Sequence, residues 1–117
     1  MEALIETKSD NFEKVANTLI GILADEFVLS VQTRKAHWNV ESQNFFSLHK
    51  LFEEQYDIIG EVIDDVAERI RAIGHYAPAT LREYLQLTHL TEQSNQSNED
   101  TSFLRDLLTS TKALLQI

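Results

Sequence analysis

Hydrophobic residues recur every three or four positions along most of this chain, which is the spacing of α-helices with buried faces. The pattern predicts a first long helix that begins at Ser9 or Asp10, either of which can cap it, and ends at Asn39. Two apolar strips run along this helix, so we expect it to be buried on more than one side. The strips consist of Phe12, Val15, Ala16, Leu19, Leu23, Phe27 and Ser30, and of Ile20, Ala24 and Val28.

A second long helix is predicted from Asn44 to Ile73, after a short polar break at residues 39–44. Gly74 is a plausible stop just beyond it, because glycine readily adopts the left-handed conformation that ends helices. The apolar residues of this helix fall within an arc of about 80° at about 100° per residue, so they form one stripe. The stripe consists of Phe45, Leu48, Phe52, Ile59, Ile63, Val66, Ile70 and Ile73.

The last third of the chain predicts a connector and a third long helix. Residues 75–100 form the connector, with a short helix at Thr80–Leu87 and a flexible polar stretch at Ser94–Asn98. The third helix begins between Asp100 and Ser102, and its apolar pattern continues to the end of the chain. That pattern comprises Phe103, Leu104, Leu107, Leu108, Leu114 and Leu115. We expect one all-α domain, residues 1–117, that stops inside its third long helix and so lacks the C-terminal part of a bundle.

Composition narrows the function classes. The 117 residues include no cysteine, 10 Lys plus Arg and 19 Asp plus Glu, for a net charge of −9. No cysteine means no disulfide framework and no thiolate metal site. The acidity argues against strong direct binding to nucleic acid phosphates. Residues 1–10 do not form a signal peptide, and we find no apolar run of about 18 residues, so we expect a cytoplasmic protein outside the membrane.

Four potential metal ligands lie on the second helix in two pairs. His49 and Glu53 are four residues apart, as are Asp64 and Glu68, and each pair shares a helix face. His49 and Asp64 are about 22 Å apart along the axis, so one helix cannot bring both pairs to one ion. Alone, such pairs are usually solvent-exposed charges, as we expect for Asp57, Glu61 and Asp65.

A two-fold axis would unite the pairs. If an antiparallel copy crosses the helix between Ile58 and Ile59, His49 faces the partner's Glu68, and Glu53 faces the partner's Asp64. Gly60 lies near this crossing, where a missing side chain permits close approach. The spacing therefore favours a homodimer with two equivalent sites, although acids are common here and chance can produce the symmetry.

Two residues at the end of the first helix complete the candidate set. His37 is in phase with that helix's apolar side, and an antiparallel hairpin would bring it to His49. Two imidazoles and three carboxylates suit iron(II), with manganese or zinc possible. The alternatives are that His37 is a hydrogen-bonded core residue and that Trp38 serves packing rather than redox chemistry. His75 and His89 lie in the connector, and we assign them no role.

Three stretches closely resemble the Dps family, the DNA-binding proteins from starved cells or mini-ferritins. They are Lys35–Val40 (KAHWNV), Asn44–Tyr56 (NFFSLHKLFEEQY) and Ile63–Gly74 (IDDVAERIRAIG). A His-Trp pair, a second His twelve residues after the first, an acid four further on and then Asp-x-x-x-Glu form a specific motif. The resemblance covers residues 11–100 and continues more weakly to the end.

The resemblance implies a ferritin-like four-helix bundle that assembles into a hollow dodecamer. It implies a ferroxidase that oxidises iron(II), preferentially with hydrogen peroxide and otherwise with dioxygen, and stores ferric mineral against oxidative damage. By matching position, one subunit supplies His37, His49 and Glu53, and its partner supplies Asp64 and Glu68. Trp38 matches a tryptophan thought to intercept oxidising equivalents beside the family's site.

Two departures from the family leave alternatives open. Relatives often carry Asp where this chain has the longer Glu53, so we expect the carboxylate to coordinate differently at this position. DNA-binding relatives often carry Lys- or Arg-rich tails, whereas residues 1–10 hold one Lys and two Glu. A DNA-coating shell protein is one competing hypothesis. An inactive structural fragment is the other, because the predicted bundle stops inside its third long helix.

Overall fold

Four helices make up the architecture. The computed structural model describes residues 2–91 and 97–115, with side chains from Asp10 to Thr91 and from Ser97 to Ala113. The helices are α1 at Glu2–Asn39, α2 at Phe45–Ala72, the short α3 at Leu81–Leu87 and α4 at Asp100–Leu115. The all-α prediction is confirmed, and within the described residues the only strand-like feature is an isolated bridge between Glu41 and Glu99.

The predicted helix boundaries hold except at the start of α1. This helix begins at Glu2 rather than at Ser9 or Asp10. Residues 2–8 include Ala, Leu, Glu and Lys, which favour helix, and one Ser and one Asp cost too little to stop it. Gly74 follows α2 with φ +91°, so the predicted glycine stop is confirmed.

α1 and α2 form an antiparallel hairpin, and its apolar stripes make the core. One cluster joins both helices to α3, and a second lies towards the turn of the hairpin and includes α4. The first contains Leu23, Ala24, Ile70 and Tyr84, with Leu19, Ile20, Phe27, Ile63, Val66, Ala67 and Ala77 packed against it. The second contains Ala36, Val40, Phe52 and Phe103, with Leu48 and Leu107. The prediction that α1 is buried on more than one side is confirmed.

Some predicted core positions are exposed instead. Phe12 and Val15 on α1 are each 47% exposed. Leu104 and Leu108 on α4 face an open groove between α1, α2 and α4. The groove has a volume of 380 Å³ and is also lined by Leu29, Thr33, Phe52, Gln55, Ile58, Ile59, Leu107 and Thr111. The side chains of Leu114 and Leu115 lie outside the described residues.

The connector is fixed by short-range bonds at both ends of α3. Thr80 caps α3 by accepting a hydrogen bond from the Glu83 N–H at 3.2 Å, and its hydroxyl donates to the Glu83 carboxylate at 2.8 Å. The Tyr84 hydroxyl donates to the Pro78 carbonyl at 2.6 Å. Most of the predicted flexible stretch, at residues 94–96, lies outside the described residues.

α4 is tied to the hairpin by polar contacts. The Glu41 N–H donates to the Asn98 carbonyl at 2.7 Å, and the Ser42 hydroxyl donates to the Asp100 carboxylate at 2.8 Å. Further along, the buried Ser110 hydroxyl donates to the Gln32 amide oxygen at 2.6 Å. These bonds hold the start of α4 against the turn between α1 and α2.

One part of α1 bears on the membrane prediction. Within Asp10–Asn39 one 18-residue stretch is long and apolar enough, by length and composition alone, to pass a test for crossing a membrane. Its apolar residues Leu23, Ala24 and Val28 are buried inside the protein, and a core helix passes the same test. In total, 33% of this stretch is buried inside the chain. The expectation of a protein outside the membrane stays a prediction.

Candidate metal centre

The hairpin brings His37 and His49 face to face. His37 lies in the last turn of α1 and His49 in the first turns of α2, on either side of the 40–44 turn. Their rings stack with centroids 3.7 Å apart and planes 16° apart. The expected approach of the two histidines is confirmed, whereas metal binding by them stays a prediction.

Each histidine is oriented by the other's backbone. His37 Nδ1 lies 2.6 Å from the His49 carbonyl oxygen, and His49 Nδ1 lies 2.6 Å from the His37 carbonyl oxygen. A carbonyl oxygen only accepts, so each Nδ1 must carry the proton and donate it. In the neutral rings Nε2 therefore keeps its lone pair, which is the state a metal-binding imidazole needs. His37 is both hydrogen-bonded and 7% exposed, so the alternative of a bonded core histidine fits the same geometry.

Aromatic side chains extend the pair on both sides. The Phe45 ring stacks on His49 at 5.0 Å, and the Tyr56 ring meets His37 at 5.3 Å with planes 77° apart. The Arg34 guanidinium lies 4.3 Å from the centre of the Tyr56 ring. Phe45 was predicted as core but is exposed, and the sequence reasoning missed Tyr56 and Arg34.

The predicted carboxylates do not join the histidines within one chain. Glu53, Asp64 and Glu68 are all exposed on α2. Among the described residues, no three His, Asp or Glu side chains of a single chain gather as a metal shell. One subunit therefore presents a pair of oriented imidazoles and, separately, exposed carboxylates.

The middle of α2 is open where the two-fold crossing is predicted. Ile58 is 61% exposed, and a Cβ placed on Gly60 would meet nothing within 4 Å outside its own helix. Beside the histidines, Trp38 is 67% exposed, so it does not pack in the core of this chain. The choice between packing and redox chemistry for Trp38 stays a prediction.

A second polar cluster, missed from the sequence, lies about halfway along the hairpin. The Asp25 carboxylate is fully buried and accepts the Thr88 hydroxyl and the His89 N–H on Oδ1, both at 2.6 Å. His89 Nδ1 lies 3.1 Å from Oδ2. His89, to which no role was assigned, thus helps to fix the segment after α3 against α1. At about 100° per residue Asp25 falls outside both apolar strips of α1, so hydrophobic spacing gave no signal for its burial.

This cluster also affects a neighbouring carboxyl group. Burial raises the pKa of Glu26 above its ordinary value, and the nearby Asp25 charge raises it further. The raised pKa therefore concerns Glu26, beside the Asp25 cluster, and not the paired histidines.

Known proteins with similar sequences point to one family. Residues 16–116 match the family described as Ferritin-like domain. An uncharacterized low temperature-induced protein of Nostoc is 37% identical over 102 residues, which are 87% of this chain and 57% of that protein. The DNA protection during starvation protein of Helicobacter pylori is 35% identical over 101 residues, 86% of this chain and 70% of the relative. The chain thus spans little more than half the length of the Nostoc relative.

Solved structures with a similar fold point to the same family. The Dps protein of Vibrio cholerae, described as a member of the ferritin-like diiron-carboxylate superfamily, superposes with a TM-score of 0.84 at 32% identity. That match covers 90% of this chain and 65% of the other. A zinc-soaked Dps of Listeria innocua gives a TM-score of 0.77 at 30% identity, covering 83% of this chain and 65% of that one.

Proposed function

Since the chain belongs to the Dps family of mini-ferritins, within the ferritin-like superfamily, we propose that it is a ferroxidase subunit that oxidises iron(II) and stores the ferric product. Iron is the substrate and cargo. The proposal treats residues 1–117 as one ferritin-like domain, and the apolar groove between α1, α2 and α4 supports this, since a bundle buries such a surface under a further helix.

The paired histidines carry the proposal. His37 and His49 each donate their Nδ1 proton to a main-chain oxygen, so both Nε2 atoms are available as ligands before any metal arrives. A ring stack at 3.7 Å limits their rotation.

The carboxylates come from both sides of a two-fold interface. In the proposal, Glu53 acts with the histidines of its own subunit, and Asp64 and Glu68 come from the neighbouring copy. Exposure of all three carboxylates supports this, as does the open surface at Ile58 and Gly60. A closed shell, dodecameric as in the family resemblance, extends the same pairing.

The ligand set suits electron loss from iron(II). Carboxylate oxygens are hard, anionic ligands that favour iron(III) over iron(II), so they lower the cost of oxidation. Two iron(II) ions together give two electrons to one hydrogen peroxide, which takes up two protons and leaves as two waters. Paired transfer avoids release of a hydroxyl radical. We propose peroxide as the preferred oxidant and dioxygen as the slower one.

The surroundings of the site have matching properties. The net charge of −9 attracts cations towards an assembled shell. Trp38, exposed beside His37, is placed to accept stray oxidising equivalents in the proposal. Zinc or manganese can occupy similar nitrogen and oxygen ligands. The proposal includes a cytoplasmic location.

Coating of DNA is the second candidate, because relatives carry the name DNA protection during starvation protein. The charge of −9 opposes strong direct binding to phosphates. Gel retardation across a salt series separates the two functions, since a DNA-coating protein retards DNA at low salt without added metal.

Mixed subunits test the shared site. His37→Ala and Asp64→Ala should each lower iron(II)-dependent peroxide consumption by about 100-fold or more, because each removes a ligand rather than an outer contact. When the two variants are dissociated and reassembled together, a mixed pair contains one intact site. Random pairing should restore about a quarter of the wild-type rate, since half of the pairs are mixed and each carries one of two sites.

Asp65→Ala is the matched control, because it removes an adjacent exposed carboxylate from the same helix. It should keep the wild-type rate. Full activity in both single variants would show that these residues are not the site. Absence of recovery in proven mixed pairs would show that the site is not shared.

A further inference from the structure

The histidine pair belongs to a longer stack whose members alternate between two helices. Arg34 and His37 come from α1, three residues apart, and His49 and Tyr56 come from α2, seven residues apart. Both spacings keep the two side chains on one helix face. The stack therefore runs from Arg34 over Tyr56 to His37 and on to His49.

We propose that Tyr56, held in place by Arg34, is a positioning residue for His37. The Nδ1 bond fixes one edge of the His37 ring, and His49 covers one side of it. Tyr56, at 5.3 Å and nearly perpendicular, restricts the remaining freedom of the ring. Nε2 is then held in one direction rather than swinging about the Nδ1 bond. This inference rests on the proposed function, since it concerns the same imidazole.

The proposed role of Arg34 is to hold the Tyr56 ring in place. Its side chain is exposed, where a cation–π contact adds little to stability. Its position over the Tyr56 ring nevertheless confines that ring between the guanidinium and His37. The chain has 10 Lys and Arg against 19 acids, so a cation this near a proposed cation site opposes simple charge attraction. A role in holding Tyr56 explains its presence there.

A second arginine–tyrosine pair in this chain serves as the control for substitutions at Arg34 and Tyr56. Arg71 lies 4.4 Å from the centre of the Tyr76 ring, and Tyr76 is 82% exposed. This second arginine–tyrosine pair lies at the end of α2 opposite to the histidines. The same substitutions can therefore be made in both pairs, and only those in the first should affect metal binding.

The test measures anaerobic Co²⁺ binding, the visible spectrum of bound Co²⁺, and the kcat and KM of iron(II) oxidation by peroxide in the full-length protein. Tyr56→Leu should weaken Co²⁺ binding about 10-fold and alter the spectrum, as loss of outer-shell support does at metal sites. Tyr56→Phe should restore binding to within about two-fold, because the ring remains. KM should rise more than kcat falls.

Arg34 variants keep the test independent of folding. Arg34→Gln should weaken Co²⁺ binding by about three-fold, and Arg34→Lys should recover part of that loss, because a cation again covers the ring. Arg71→Gln and Tyr76→Leu should leave both binding and spectrum unchanged. If Tyr56→Leu fails to fold, the Arg34 pair decides the outcome.

Two different failures are distinguishable. If the wild-type protein neither binds Co²⁺ nor oxidises iron(II), the proposed function is wrong. If the wild type does both, and Tyr56→Leu and Arg34→Gln match it in affinity, spectrum and KM, the positioning role is overturned while the metal site stands.

Discussion

The hairpin carries two histidine clusters that use the same ring atom for different purposes. At the turn, His37 and His49 donate from Nδ1 to main-chain carbonyls, and their rings stack within the protein. In the second cluster, His89 Nδ1 lies beside the buried carboxylate of Asp25, while the His89 side chain is 56% exposed. In the proposed function the first arrangement prepares metal ligands, whereas the second fastens the segment after α3 to α1.

The difference lies in what the histidine satisfies. Asp25 is fully buried and needs donors, so Thr88 and His89 serve the carboxylate. At the turn, main-chain oxygens serve the imidazoles and no buried charge is involved. In this contrast, a histidine is structural when it supplies a hydrogen bond that a buried group needs. A histidine is free to bind when the backbone accepts its Nδ1 proton and so fixes its ring.

Asp25→Ala gives the largest expected change in stability. Removing the carboxylate leaves the Thr88 hydroxyl and the His89 N–H without their acceptor, so we expect unfolding free energy to fall by about 2–4 kcal/mol. Urea unfolding measures this loss. His89→Ala, which keeps the main-chain donor, should cost less.

The same variants should separate stability from chemistry. At a temperature where it stays folded, Asp25→Ala should oxidise iron(II) at the wild-type rate. A specific loss of oxidation in folded Asp25→Ala would mean that the two clusters are coupled and that the contrast between them is wrong.

Gly60→Ala should stabilise the subunit but weaken its dimer. Among the described residues, a Cβ added at Gly60 would meet nothing within 4 Å outside its own helix, so the added methyl group should stabilise the isolated helix by about 1 kcal/mol. At the proposed crossing it should push the two helices apart and weaken the dimer. Sedimentation velocity across a concentration series measures the dimer, with Glu61→Ala as the neighbouring control. Unchanged association would argue against a close crossing at Gly60.

Glu26 gives the smallest effect, through pH. Its pKa is raised in the folded protein, mainly by burial, so the folded state holds the proton more tightly than the unfolded chain. Stability should therefore fall as pH rises from about the ordinary value of 4.5 through the raised pKa. Glu26→Gln should lack this fall and be more stable than the wild type at pH 7. Parallel urea curves for both proteins between pH 4.5 and 7 would contradict the assignment.

The sequence predicted the features that local spacing determines. The two long helices, the polar turn and the Gly74 stop follow from periodicity and from residue chemistry, and together they bring His37 to His49. Asp25 could not be assigned, because its partners are more than 60 residues away in the chain. The exposure of Leu104 and Leu108 depends on what packs beside α4, which periodicity does not contain.

The contacts of Tyr56 lay beyond the sequence for another reason. The 77° angle between its ring and His37, and the placement of Arg34 above it, depend on how two helices are rotated against each other. Hydrophobic spacing fixes which face turns inward but not that rotation in detail. Ring-to-ring geometry is therefore information that only the folded hairpin supplies.

The reciprocal bonds of the histidine pair make its members separable by mutation. Each acceptor is a main-chain oxygen, and a main-chain oxygen survives when its own side chain is replaced. A variant that loses the imidazole at one position still offers the other histidine its acceptor. Either histidine can accordingly be replaced while its neighbour keeps its Nδ1 acceptor, so a substitution at one position removes the ring stack but not the main-chain bond at the other.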